Sequence, residues 1–76
     1  MIFELRGETI ALAALLKATG VAPSGGAAKA MVDAGEVRVD GRPETRRTRT
    51  LRAGQVVEAG DARIELRAGG GAQVRT

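Results

Sequence analysis

The strongest constraint on the fold is a change of hydrophobic period at Gly35. From Ser24 onward the spacing is helical, with Ala27, Ala28, Met31, Val32 and Ala34 forming a small-residue face. After Gly35, the segment Glu36-Val37-Arg38-Val39 alternates, sending the two valines to one side and Arg38 to the other. Asp40-Gly41 follows, a strong signal for a tight hairpin turn. Ser24 is a natural N-cap, because its hydroxyl can accept from a free amide of the first helical turn. Gly35 suits the left-handed position that ends a helix. A helix joined directly to a hairpin commits the chain to a mixed α and β architecture.

The flanking segments fit that architecture. Ile2-Phe3-Glu4-Leu5 alternates and reads as a short strand broken by Gly7. A first helix is expected from Ile10 to Thr19, capped by Thr9 and ended by Gly20, with Pro23 keeping the linker out of helix. Leu12, Leu15, Leu16 and Thr19 share one face of it, which points to the core. Beyond the hairpin turn, Glu44 to Leu51 is polar and expected to be extended. Arg52-Ala53-Gly54-Gln55 reads as a turn, and Val56-Val57-Glu58-Ala59 and Ile64-Glu65-Leu66 read as strands. Phe3-Glu4-Leu5-Arg6 is similar to Ile64-Glu65-Leu66-Arg67, which suggests two alike edge-type strands. The expected organisation is a single domain over residues 1–68 and a flexible glycine-led tail over 69–76.

Composition removes several function classes. The chain has 76 residues, no cysteine, no histidine and one aromatic residue, Phe3. A chain this short buries only about 60% of its unfolded surface, so its core is modest. Without cysteine and histidine there is no disulfide, no thiolate site and no imidazole base. Neither a metal site nor a cofactor is expected. Asp33, Glu36, Asp40 and Glu44 read as solvated charges, turn formers or partners that orient arginines, not as catalytic acids. Gly25-Gly26 lacks the longer glycine pattern and trailing lysine of a nucleotide loop. The longest apolar run, Ile10 to Leu16, is too short to cross a bilayer, and Glu4 near the start argues against a signal peptide. A monomeric, cytoplasmic, non-catalytic protein is expected, with neither membrane nor small molecule as partner.

Charge points to a partner. The net charge is +3, and the whole excess lies between Lys17 and Arg52. It is densest where Arg42, Arg46, Arg47, Arg49 and Arg52 stand against Glu44 alone. Such a local basic field suits a polyanion, most simply nucleic acid. A helix start bearing Ser24, Gly25 and Gly26 adds unpaired amides and partial positive charge, with Lys29 on the same face. On an extended strand Arg47 and Arg49 would share one face and Arg46 would take the other. With no aromatic residue nearby, base stacking is poorly supplied, and contact with the backbone of a folded nucleic acid is the better match. The alternative is an interaction adaptor whose basic face meets an acidic protein.

Several motifs occur in a telling order. These are Leu15-Leu16-Lys17, Ser24-Gly25-Gly26, Ala28-Lys29, Gly35-Glu36-Val37-Arg38-Val39-Asp40-Gly41, Glu44-Thr45-Arg46-Arg47 and Leu51-Arg52-Ala53-Gly54. Over about residues 8–66 the chain resembles the alpha-L RNA-binding domain, the S-four-type module named for a small-subunit ribosomal protein. More narrowly it is similar to the stand-alone bacterial YbcJ-like branch. The resemblance implies an α+β fold, two short helices packed on a small, mostly antiparallel sheet. It also implies that structured RNA, with ribosomal RNA a candidate, meets the second helix and the hairpin. On that basis Ser24, Gly25, Gly26, Lys29, Arg38, Arg46 and Arg47 are site residues, and Arg49 joins them by spacing. Three positions depart from the wider pattern. Gly25 replaces a frequent arginine, Thr50 replaces a lysine whose charge Arg49 and Arg52 stand in for, and Gln55 replaces an acid.

Overall fold

The computed structural model describes residues 1–69. The elements run β1 (Ile2–Glu4), β2 (Thr9–Ala11), α1 (Leu12–Ala18), α2 (Gly25–Asp33), β3 (Val37–Val39), β4 (Arg42–Pro43), β5 (Thr50–Arg52), β6 (Val56–Ala59) and β7 (Ala62–Arg67). Five strands form one sheet in the order β1-β7-β6-β3-β4, and β2 pairs with β5 in a separate ribbon. All pairings are antiparallel except β1 with β7. This is the α+β arrangement of two helices on a mostly antiparallel sheet.

One core joins helices, sheet and ribbon. Leu12, Leu15 and Leu16 of α1 meet Ala28 and Val32 of α2, Val37 and Val39 of β3, Leu51 of β5, Val57 of β6, and Ile64 and Leu66 of β7. The helical period of α1 and the two-residue period of β3 both hold, since Val37 and Val39 are buried and Arg38 is exposed. Ala28 is fully buried, consistent with a close approach of α2 to α1. Ala34, expected on that apolar face, is instead the exposed C-cap of α2.

Three local expectations are corrected. The first helix begins at Leu12, not Ile10, and Thr9 does not cap it. Thr9, Ile10 and Ala11 pair with Arg52, Leu51 and Thr50, so β-branched residues joined to a distant strand prevail over local helix propensity. The segment from Glu44 to Arg49 is not an extended strand. It leaves β4 as a loop and closes a turn in which the Arg49 amide donates to the Arg46 carbonyl at 3.1 Å. Finally, β7 is not an edge. It lies between β1 and β6, and its sequence look-alike β1 runs beside it with Phe3 opposite Leu66.

The turn at Asp40-Gly41 has the expected hairpin geometry, with φ of +52° and +83° at the two residues. Of the expected tail, only Gly69 lies among the described residues. Its α-carbon lies so close to the Leu5 carbonyl that a Cβ there would collide with it. Among the described residues, no helix is long and apolar enough to cross a membrane.

Candidate nucleic-acid interface

Three surface regions carry the residues of interest. At the start of α2, Ser24 has extended backbone, and its Oγ accepts from the Ala27 amide at 3.1 Å. The Ser24 carbonyl accepts from the Ala28 amide at 3.0 Å. Helix geometry leaves the Gly25 and Gly26 amides without an intrahelical acceptor, and both residues are exposed. Lys29 lies one turn on, with its Nζ 3.1 Å from Asp33 Oδ2. Both side chains of that i,i+4 pair are about half exposed, and such pairs are worth only about 0.3–0.5 kcal/mol.

Arg38 stands elsewhere. It projects from β3 on the side opposite the buried valines, where its cross-strand neighbour is Glu58, itself opposite Arg63. Arg63 and Arg67 both pair with Glu65, at 2.9 and 3.8 Å. Arg38 therefore belongs to a row of mixed charge on the outer sheet face, away from the helices.

The third region is the loop between β4 and β5, and its centre is an acid. Glu44 is only 9% exposed. Its amide donates to the Val37 carbonyl at 2.9 Å, tying the loop to β3. Its Oε2 accepts from the consecutive amides of Thr45 and Arg46, at 3.1 and 3.0 Å. Its Oε1 accepts from Arg49 Nη1 at 2.6 Å. The Arg46 amide, and after it the Arg49 guanidinium, hold the Glu44 carboxyl below the usual carboxylate range against the opposing effect of burial. Further along, the carbonyls of Arg47 and Arg49 accept from the Ala13 and Leu12 amides at 3.0 and 2.9 Å. These bonds satisfy the first amides of α1, whose N-cap, Ala11, offers no side-chain acceptor.

A second carboxylate, in the hairpin turn, braces the connection between β5 and β6. Asp40 Oδ1 accepts from the Val56 amide at 2.9 Å and Oδ2 from Gln55 Nε2 at 3.1 Å. Those two bonds, with Arg49 adding its charge, keep the Asp40 carboxyl below its ordinary range. Gln55 Oε1 in turn accepts from the Arg52 amide at 2.8 Å. An acid at position 55 has no hydrogen to give Asp40, so the glutamine suits this link.

The structure thus brings Arg46, Arg47 and Arg49 together on one loop, while Ser24, Gly25, Gly26 and Lys29 share the start of α2 and Arg38 lies apart. Within the loop the arginines differ. The Arg46 side chain is 75% exposed, with its Nε 3.8 Å from Glu44. Arg47 is exposed and makes no ion pair among the described residues. Arg49 is only 37% exposed and spends Nη1 on Glu44. Sequence reasoning groups Glu44 and Asp40 with Asp33 and Glu36 as solvated charges, turn formers or partners that orient arginines, without singling out Glu44, and has Gln55 only as a departure. Asp40 carried a signal, its place before Gly41. Glu44 and Arg49 are five residues apart, a spacing that belongs to neither helix nor strand and so carries none.

A family model described as the S4 domain matches residues 3–67. No curated protein matches the chain.

Proposed function

The chain belongs to the S4 domain family, a family of RNA-binding modules, and on that premise we propose that it is a non-catalytic module gripping the phosphate backbone of structured RNA. Ribosomal RNA is a candidate. Gly25 after Ser24, and Glu44-Thr45-Arg46-Arg47, favour the stand-alone YbcJ-like branch. The observation that carries the reading is the inward turn of Glu44, with Arg46 and Arg47 left exposed beside it. Arginine presents a planar fork of permanent charge, matched to two phosphate oxygens at once. The start of α2 is a second, weaker contact, where the Gly25 and Gly26 amides and Lys29 face solvent. Arg38, opposite Glu58, contributes least. The only aromatic residue, Phe3, packs partly buried against the core, so the mode is backbone and shape recognition without stacking.

Titration of the folded protein with a labelled RNA hairpin tests this. Binding is expected at low salt and should weaken steeply as salt rises, because contacts to phosphate release counterions. Folded protein that ignores the hairpin even at low salt contradicts the proposal.

A further inference from the structure

We propose that Glu44 is the positioning residue of the arginine loop, setting where Arg46 and Arg47 stand, and that Arg49 serves this carboxylate and not the RNA. The inference rests on the reading of that loop as the RNA-contacting surface.

An acid inside a basic cluster should weaken the attraction for a polyanion, on charge alone. Glu44 is nevertheless enclosed at the centre of this one, with both carboxylate oxygens engaged. One oxygen gathers the Thr45 and Arg46 amides, so the chain bends around it as it leaves Pro43. The other holds Arg49 at 2.6 Å, the range of a strong, charge-assisted bond. The same carboxylate therefore fixes the backbone at the start of the loop and the side chain at its end. Between those points the Arg46 carbonyl accepts from the Arg49 amide, and the Arg47 carbonyl is turned toward α1. No hydrogen bond of this set uses the guanidinium of Arg46 or Arg47, and only Arg46 keeps a looser ion pair, its Nε 3.8 Å from Glu44 Oε2.

Arg49 plays the complementary part. Its charge also acts on Asp40, and Val39, Asp40, Arg42, Pro43, Glu44 and Arg49 line one groove. A cation paired with Glu44 and sharing a groove with Asp40 is already compensated, whereas Arg47 has no ion-pair partner among the described residues.

Charge and position predict opposite outcomes for one substitution. Glu44→Gln raises the net charge by one, so if charge alone governs binding, affinity for an RNA hairpin should stay level or rise. If Glu44 positions the loop, affinity should fall about tenfold, the size of effect expected when a residue acts through others in one network. Glu36→Gln, which makes the same charge change at an exposed acid without an ion pair among the described residues, should bind as the wild type or slightly tighter. Glu44→Asp keeps the charge but shortens the reach, and should also bind more weakly; it serves if Glu44→Gln does not fold. In an Arg46→Ala/Arg47→Ala background, Glu44→Gln should have no further effect on affinity. In the wild type, the Thr45 and Arg46 amides should be protected from hydrogen exchange. Wild-type-like or tighter binding by folded Glu44→Gln or Glu44→Asp overturns the inference if the double arginine variant has lost affinity, as does unprotected exchange at both amides. If the double arginine variant binds as the wild type, the interface reading fails, and this inference with it.

Discussion

The start of α2 and the loop from Glu44 to Arg49 each set basic side chains beside an acid, yet they are built in opposite ways. At α2 the acid and the base share the surface: Lys29 and Asp33 meet across one helical turn with both side chains about half exposed. In the loop the acid is turned inward and the bases outward. Glu44 is enclosed, while the Arg46 side chain is 75% exposed. The α2 start is organised by near neighbours, Ser24 with Ala27 and Ala28. The loop adds distant bonds, to Val37 on one side and Leu12 and Ala13 on the other, to the near ones of Glu44 with Thr45, Arg46 and Arg49. Formal charge already separates the two regions, since Lys29 is matched by Asp33 whereas Arg46, Arg47 and Arg49 stand against Glu44 alone, and the placement of the counter-charge widens the difference.

Three perturbations sharpen the contrast, beginning with the most severe. Leu15→Asp should abolish both regions at once, because this fully buried side chain lies in the core shared by helices, sheet and ribbon. An unpaired charge there costs several kcal/mol, on the order of the stability of so small a domain. Loss of a cooperative unfolding transition is the expected readout, and a native-like melt would show that the core has been misassigned. Ser24→Ala should act on α2 alone. It removes the cap on the Ala27 amide and should lower stability by about 1 kcal/mol, leaving the geometry of the loop unchanged. Chemical denaturation measures the first, and amide shifts of residues 44–49 the second.

The smallest effect is in the pH dependence of stability and belongs to the loop side. Asp40 and Glu44 have folded-state pKa values below their ordinary ones. Their contribution is therefore complete above the ordinary carboxylate range of about pH 4 and is lost as pH falls through the depressed values. Asp40→Asn should flatten that acid limb relative to the wild type, read as stability across an acid pH series. An acid limb unchanged by Asp40→Asn would contradict this assignment.

How much of this was legible in the sequence follows the same division. Ser24 as cap, Gly35 as helix end and Asp40-Gly41 as hairpin turn are local choices of backbone, and each was readable from its own few residues. The buried faces of Leu12, Leu15 and Leu16, and of Val37 and Val39, follow from period. Thr9 to Ala11 was misread because its partner, Thr50 to Arg52, lies far along the chain. The loop was misread as a strand because its polar alternation mimics one. Its true shape depends on a carboxylate folding back on its own backbone and on carbonyls capping another helix. No pattern within residues 44–49 encodes the position of Leu12.

The central claim is that Arg46 and Arg47 meet phosphate while the α2 start contributes less, and salt dependence tests it most directly. Affinity for an RNA hairpin should be measured across a salt series for the wild type, Lys29→Ala and Arg46→Ala/Arg47→Ala. The logarithmic salt slope should shrink by roughly two for the double arginine variant, and by less than about one for Lys29→Ala. A slope unchanged by loss of both arginines, or reduced more by Lys29→Ala, would contradict the account.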